Sequence, residues 1–135
     1  MLGAIIGDII GSRFEFSKQT KPEFELFTPD CDFTDDTICT VAIADAILNH
    51  KPYGTALHDW CRRYPTPMGG YGDKFELWVE SDNPQPYGSS GNGSAMRVSP
   101  VGWLFDEYKE VLNEAKESAV VTHNHPDGIN GAQCV

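Results

Sequence analysis

Thr34-Asp35-Asp36-Thr37 runs directly into Ile38-Cys39-Thr40-Val41-Ala42-Ile43-Ala44-Asp45-Ala46-Ile47-Leu48. Apolar or small residues at 38, 41, 42, 44 and 48 recur at helical spacing and predict a buried helix from Ile38 to His50. Two acids and two hydroxyls stand where that helix begins. Thr or Asp as the N-cap accepts a hydrogen bond from an unpaired backbone N–H, and acids in the first turn suit the helix dipole. Capping is the simplest reading and needs only one or two of the four side chains. The sharper reading is an oxygen-rich pocket for a hard divalent cation, because Mg²⁺ prefers carboxylate and hydroxyl oxygens. The tetrapeptide alone leaves both open.

Outward from this stretch, Pro52 and Gly54 stop the helix, and Thr55 is expected to cap a second one with Leu57, Trp60, Cys61 and Tyr64 on one face. Phe75, Leu77, Trp78 and Val79 form a short apolar element that fits helix or strand. Pro100-Val101-Gly102 predicts a turn or kink. Asp106 to Val121 predicts an amphipathic helix with Tyr108, Val111, Leu112, Ala115 and Ala119 inward, and Asp127 is expected to cap a last one. Towards the N-terminus, the segment from Ser17 to Phe33 reads as a surface loop. Gly3, Gly7 and Gly11 recur every four residues. Glycine costs helix stability, so this stripe predicts a close approach to another backbone. Asp8 on the same segment reads as a hydrogen-bonded core acid or as support for a metal site. Glu15, between Phe14 and Phe16, is either an exposed turn residue or a partly desolvated acid suited to proton transfer.

The 135 residues suffice for one domain with a real core. Twenty acids against ten basic residues give a formal charge of −10, which disfavours a nucleic-acid partner. An anionic substrate would need a metal or backbone N–H groups to neutralise it. No run reaches the length of a membrane span. Cys31, Cys39, Cys61 and Cys134 show no CxxC spacing, so reduced thiols and a cytoplasmic location are expected. His123 and His125 have zinc-ligand types without a third ligand nearby. Ser89-Ser90-Gly91-Asn92-Gly93-Ser94 offers N–H groups to an anion, without Walker A or Rossmann spacing.

Together these stretches resemble the ADP-ribosylglycohydrolase family. The resemblance rests on Gly3-Ala4-Ile5-Ile6-Gly7-Asp8 with Gly11, Ser12 and Glu15; on Thr34-Asp35-Asp36-Thr37; on Gly70-Tyr71-Gly72; on Gly91-Asn92-Gly93-Ser94-Ala95-Met96-Arg97; and on Thr122-His123 with His125, Pro126, Gly128, Gly131 and Ala132. They occur in the family's order.

The resemblance implies an all-α fold with a binuclear Mg²⁺ or Mn²⁺ centre. Thr34, Asp35 and Asp36 would supply metal ligands, and Glu15 would act beside the scissile ribose as an acid–base or gating group. The Gly70, Tyr71, Gly72 loop and the Ser89, Ser90, Gly91, Asn92, Gly93 loop would cradle diphosphate and ribose, with His123 on the opposite wall. ADP-ribose or an ADP-ribosylated protein would be the partner.

Family members run to about twice this length, and their second Asp-x-Asp-Thr/Ser motif completes the metal site. No such motif follows Asp36 here; Asp30-Cys31-Asp32-Phe33 has the spacing but lacks the hydroxyl. An N-terminal half, incomplete at its C-terminus, is therefore expected. Such a half would act as part of a hydrolase, or as a non-catalytic relative that binds ADP-ribose weakly, self-associates or pairs with a complementary C-terminal half. An Mg²⁺-dependent phosphohydrolase is a third reading.

Overall fold

The computed structural model describes residues 1–16 and 23–135. The first six positions of the expected loop from Ser17 to Phe33 fall outside that set. Eight α-helices and one 3-10 turn make up the described secondary structure: α1 (Leu2–Gly11), the turn Ser12–Phe14, α2 (Asp35–Leu48), α3 (Tyr53–Arg63), α4 (Asp73–Glu80), α5 (Gly93–Met96), α6 (Ser99–Leu104), α7 (Tyr108–Val120) and α8 (Pro126–Cys134). Among the described residues the only extended pairing is a bridge between Thr34 and Met68. The all-α expectation is met.

Helix α2 is the axis. It packs against α3, α6, α1 and α5. Its Ile38, Cys39, Ala42 and Ile43 are buried, against Leu57 and Cys61 of α3 and Val98 and Val101 near α6. Small residues, Cys39, Thr40, Ala42, Ala44 and Ala46, make up most of its buried positions. Burying a leucine such as Leu57 stabilises by about 1.5–3 kcal/mol relative to leaving it exposed. Arg62 at the end of α3 donates from Nε to Val79 O at 2.9 Å, tying α3 to the end of α4. All four cysteines are free, and the Sγ atoms of Cys39 and Cys61 lie 3.9 Å apart in the core.

Several local expectations are corrected. Helix α3 starts at Tyr53 with Pro52 as N-cap, so Thr55 is a first-turn residue rather than the cap. Residues 73–80 are helix. Pro100 sits in the first turn of α6, after Ser99, instead of kinking the chain, because a proline there needs no intrahelical N–H. In α8 the N-cap is His125, whose Nδ1 accepts from Asp127 N at 3.2 Å; Asp127 lies in the first turn. Tyr108 is 75% exposed, because it opens α7 ahead of the buried stretch at Ala115, Ser118 and Ala119.

The largest correction concerns α1. None of its residues is buried, and a Cβ added at Gly3, Gly7 or Gly11 would meet nothing within 4 Å. The stripe is an open surface of this chain. Helix α1 is anchored by polar bonds instead. Asp8 accepts from Thr34 N at 2.9 Å and Thr34 Oγ1 at 2.6 Å, and from Thr37 N at 3.2 Å and Thr37 Oγ1 at 2.6 Å. Ser12 Oγ accepts from Asp32 N at 3.2 Å.

Candidate functional site

The start of α2 is capped, as the simpler reading of its acidic stretch expects. Thr34 is the N-cap, in extended conformation, and its Oγ1 accepts from Asp36 N at 3.2 Å. The same hydroxyl donates to Asp8, which spends its hydrogen and one of two lone pairs. The other lone pair is left for a further contact. With Thr34 as cap, Asp35 and Asp36 fall in the first helical turn, where their carboxylates suit the dipole but crowd each other.

The crowding is electrostatic. Burial, then the charges of Asp36 and Glu15, push Asp35 up to about 6. Burial, then Asp8 and Glu15, raise Asp36. Every charged neighbour that perturbs the pair is another carboxylate. Two adjacent acids with no cation against them among the described residues form an oxygen-only donor set that suits a hard divalent ion. Among the described residues, however, no three His, Cys, Asp or Glu side chains converge as a ligand cluster. Thr34, Asp35 and Asp36 fit part of a metal site.

Two hollows meet at this helix start. Asp35 lines a cleft of about 460 Å³ together with Cys39, Gly72, Ser89, Gly93 and His123. Asp36 lines a neighbouring hollow of about 390 Å³ with Asp8, Glu15 and Thr34. Asn92 borders both, so they adjoin at the glycine-rich loop. The larger one has the volume of a small-molecule site.

The remaining residues distribute as follows. Glu15 is an exposed turn residue after the 3-10 segment. It lies against Gly69, where an added Cβ would run into its carboxylate. Gly70 N donates to Pro67 O at 3.0 Å, which closes the turn. Tyr71 turns its side chain into the core and donates its hydroxyl to Tyr64 O at 2.7 Å. Gly72 reaches the cleft wall.

In the second loop, Gly91 N donates to Ser89 Oγ at 3.2 Å, and Ser89 N to Thr122 O at 3.4 Å. Ser90 is exposed beside them. Ser89, Gly91, Asn92 and Gly93 all line the cleft. His123 is 5% exposed on the facing wall, and burial followed by the Arg97 charge lowers it to about 4. It is neutral at physiological pH.

The structure adds cleft residues that pattern reading gave no role. Arg97 is buried beneath the floor, Thr122 stands between it and His123, and Tyr87 lies 6.2 Å from the His123 ring. Arg97 had a visible signal, being a charge inside the apolar run Ala95-Met96-Arg97-Val98. Gly128 is the hidden support: a Cβ there would lie 2.7 Å from Ser89 O and 2.9 Å from His123 Cβ.

A sequence model of the ADP-ribosylglycohydrolase family matches residues 1–135. The chain belongs to the ADP-ribosylglycohydrolase family. Among curated relatives, ADP-ribosylhydrolase ARH3 of Xenopus tropicalis is 28% identical over 162 residues, covering 98% of this chain and 46% of that protein. ADP-ribosylhydrolase ARH3 of Homo sapiens is 27% identical over 167 residues, with 98% and 46% covered. The chain spans about half the length of the curated relatives it matches. Among the described residues no helix is long and apolar enough to cross a membrane.

Gly69 offers a controlled test of the Glu15 position. Gly69 and Gly70 both hold positive φ, +81° and +75°. Alanine at either one strains the backbone by about 1–2 kcal/mol. Only at Gly69 does the new methyl displace the Glu15 carboxylate. Both variants are therefore expected to lose similar stability in urea titrations, and only Gly69→Ala to shift the carboxylate resonance of Glu15 in NMR spectra. An unshifted Glu15 resonance in Gly69→Ala would remove the Gly69–Glu15 link.

Proposed function

We propose that this chain forms the N-terminal half of a metal-dependent glycohydrolase site that releases ADP-ribose from a protein side chain or a small molecule. The observation that carries the reading is the convergence of the Thr34-Asp35-Asp36 oxygens, Glu15 and the Ser89–Gly93 loop on two adjoining hollows. Thr34, Asp35 and Asp36 hold Mg²⁺, with two ions in the complete site and Mn²⁺ as an alternative. When bound, the ions orient ribose hydroxyls and lower the pKa of an attacking water.

The chain's own residues do the rest. Backbone N–H groups of the glycine-rich loop and the neutral His123 receive the diphosphate and ribose without a basic surface, consistent with the charge of −10. Glu15, on the rim beside Asp36, accepts or returns a proton as the glycosidic bond breaks through an oxocarbenium-like state. The working location is the cytoplasm.

A second reading is favoured by the open face of α1, where Leu2 and Ile6 are exposed beside the bare glycine stripe. Such a face suits pairing with a complementary C-terminal half, a second chain or another copy, in which case the isolated chain binds ADP-ribose only weakly. Calorimetric titration with ADP-ribose, with and without Mg²⁺, separates the readings. Metal-dependent binding is expected for the first. A folded chain that binds neither Mg²⁺ nor ADP-ribose overturns it.

A further inference from the structure

Arg97, at the end of α5, is 1% exposed. Its Nη2 donates to Ser118 O at 3.0 Å and to Thr122 Oγ1 at 2.8 Å. Both acceptors are neutral, an expensive place for a buried cation unless the bonds have another use. Thr122 is fully buried, and its Oγ1 lies 2.7 Å from His123 Nδ1.

The donor inventory assigns this chain of bonds. A guanidinium only donates, so the Thr122 oxygen is an acceptor towards Arg97. A buried hydroxyl hydrogen needs an acceptor of its own, and His123 Nδ1 is the one within reach. If Nδ1 accepts, the single proton of the neutral ring sits on Nε2. That edge faces the glycine-rich loop: a Cβ added at Gly93 would lie 3.0 Å from Nε2, and one at Gly91 4.0 Å. His123 also lines the larger cleft. Its free N–H is thus presented where a ligand oxygen would lie. Burial and the Arg97 charge also keep the ring neutral, so it does not become a double donor.

We propose that Arg97 and Thr122 are positioning residues that lock His123 in the Nε2–H tautomer, turning it into a fixed hydrogen-bond donor towards an oxygen of ADP-ribose. The consequence for ADP-ribose rests on the function proposed above; the tautomer does not. Two bonds of ordinary length, made inside the fold before any ligand arrives, remove the choice between ring nitrogens. A donor that needs no rearrangement on binding loses less free energy when the ligand docks.

The test uses the ligand-free chain labelled with ¹⁵N, and long-range ¹H–¹⁵N spectra of its histidine rings at neutral pH. His123 is assigned by the signal lost in His123→Gln. The expected result is an unprotonated Nδ1 and a protonated Nε2 in the parent chain and in Thr122→Ser, which keeps the hydroxyl. In Thr122→Val, which keeps the shape, the ring should become a mixture of tautomers. ADP-ribose affinity should then fall in proportion to the fraction of the ring left as Nε2–H, about twofold for an even mixture, and stay unchanged in Thr122→Ser. A protonated Nδ1 in the parent chain overturns the proposal, and that spectrum decides even if Thr122→Val fails to fold. An unchanged tautomer in folded Thr122→Val overturns it equally. A locked Nε2–H ring in a chain that binds no ADP-ribose leaves the lock standing and removes the proposed function instead.

Discussion

Asp35→Asn is expected to yield a chain that is more stable at neutral pH and inactive as a metal-dependent hydrolase. In an unfolded chain an aspartate loses its proton near pH 4. Folded Asp35 keeps it to about 6, because burial and the neighbouring Asp36 and Glu15 charges oppose ionisation. Between those values the folded state binds the extra proton. Stability from this site is therefore fully present below pH 4, falls as pH rises to about 6, and stays low above.

Asparagine carries no charge and removes that pH dependence. Two pH units correspond to nearly 3 kcal/mol, and solvent reaching the partly exposed group reduces the expected gain to about 1–2 kcal/mol. Thermal unfolding of both proteins from pH 4 to 8 checks the sign: the curves should meet near pH 4, diverge up to about pH 6 and stay apart above it. Turnover measured in the full-length protein should drop by about 10²–10³, the weight of a lost carboxylate ligand to a catalytic ion. Asp36→Ala is expected to abolish metal-dependent turnover in the same way. Undiminished turnover in either variant, or a less stable Asp35→Asn protein at pH 8, would refute the role given to the pair.

Gly128→Ala should damage the other wall of the cleft. Helix propensity favours alanine by about 1 kcal/mol inside a helix. Here the added methyl has no room: it meets Ser89 O at 2.7 Å, His123 Cβ at 2.9 Å and His123 O at 3.1 Å. Two of these three are backbone oxygens, which cannot swing aside as a flexible side-chain end would. Overpacking of this kind costs about 1–3 kcal/mol.

The bond from Ser94 Oγ to Gly128 O at 2.7 Å must shift as well, so α5 and α8 are disturbed together. The two effects oppose each other, and with two backbone oxygens in the way the steric cost is expected to win by up to about 2 kcal/mol. Urea titration measures it. ADP-ribose affinity should fall in parallel, because the methyl pushes apart the Ser89 loop and His123, the two sides of the candidate site. A Gly128→Ala chain as stable as the parent, with unchanged affinity, would show that the α8 start yields freely.

Corrections to individual helices share a cause. Thr55, Asp127 and Tyr108 were each placed by local pattern, and each position is settled by something outside the pattern. Pro52 and His125 take the caps because the chain enters those helices from their side. Tyr108 has the right spacing to share a face with Ala115, but that face is buried only in the second half of α7.

The sequence by itself determined what is short-ranged. Helical periodicity marked most of the helices, the acidic stretch marked the start of one of them, and five ordered motifs carried the family resemblance that implied an all-α fold. Only the tertiary structure decided which groups meet. Asp8 reaches Thr34 and Thr37 across more than 25 residues, Arg97 reaches Thr122 across 25, and Gly69 meets Glu15 from a separate loop. It also left the glycine stripe of α1 open, where spacing had predicted a packed face. The physical reason is the range of the forces: backbone hydrogen bonds and caps join residues within about four positions. Burial, charge crowding and hydrogen-bond relays depend on which helix faces pack together.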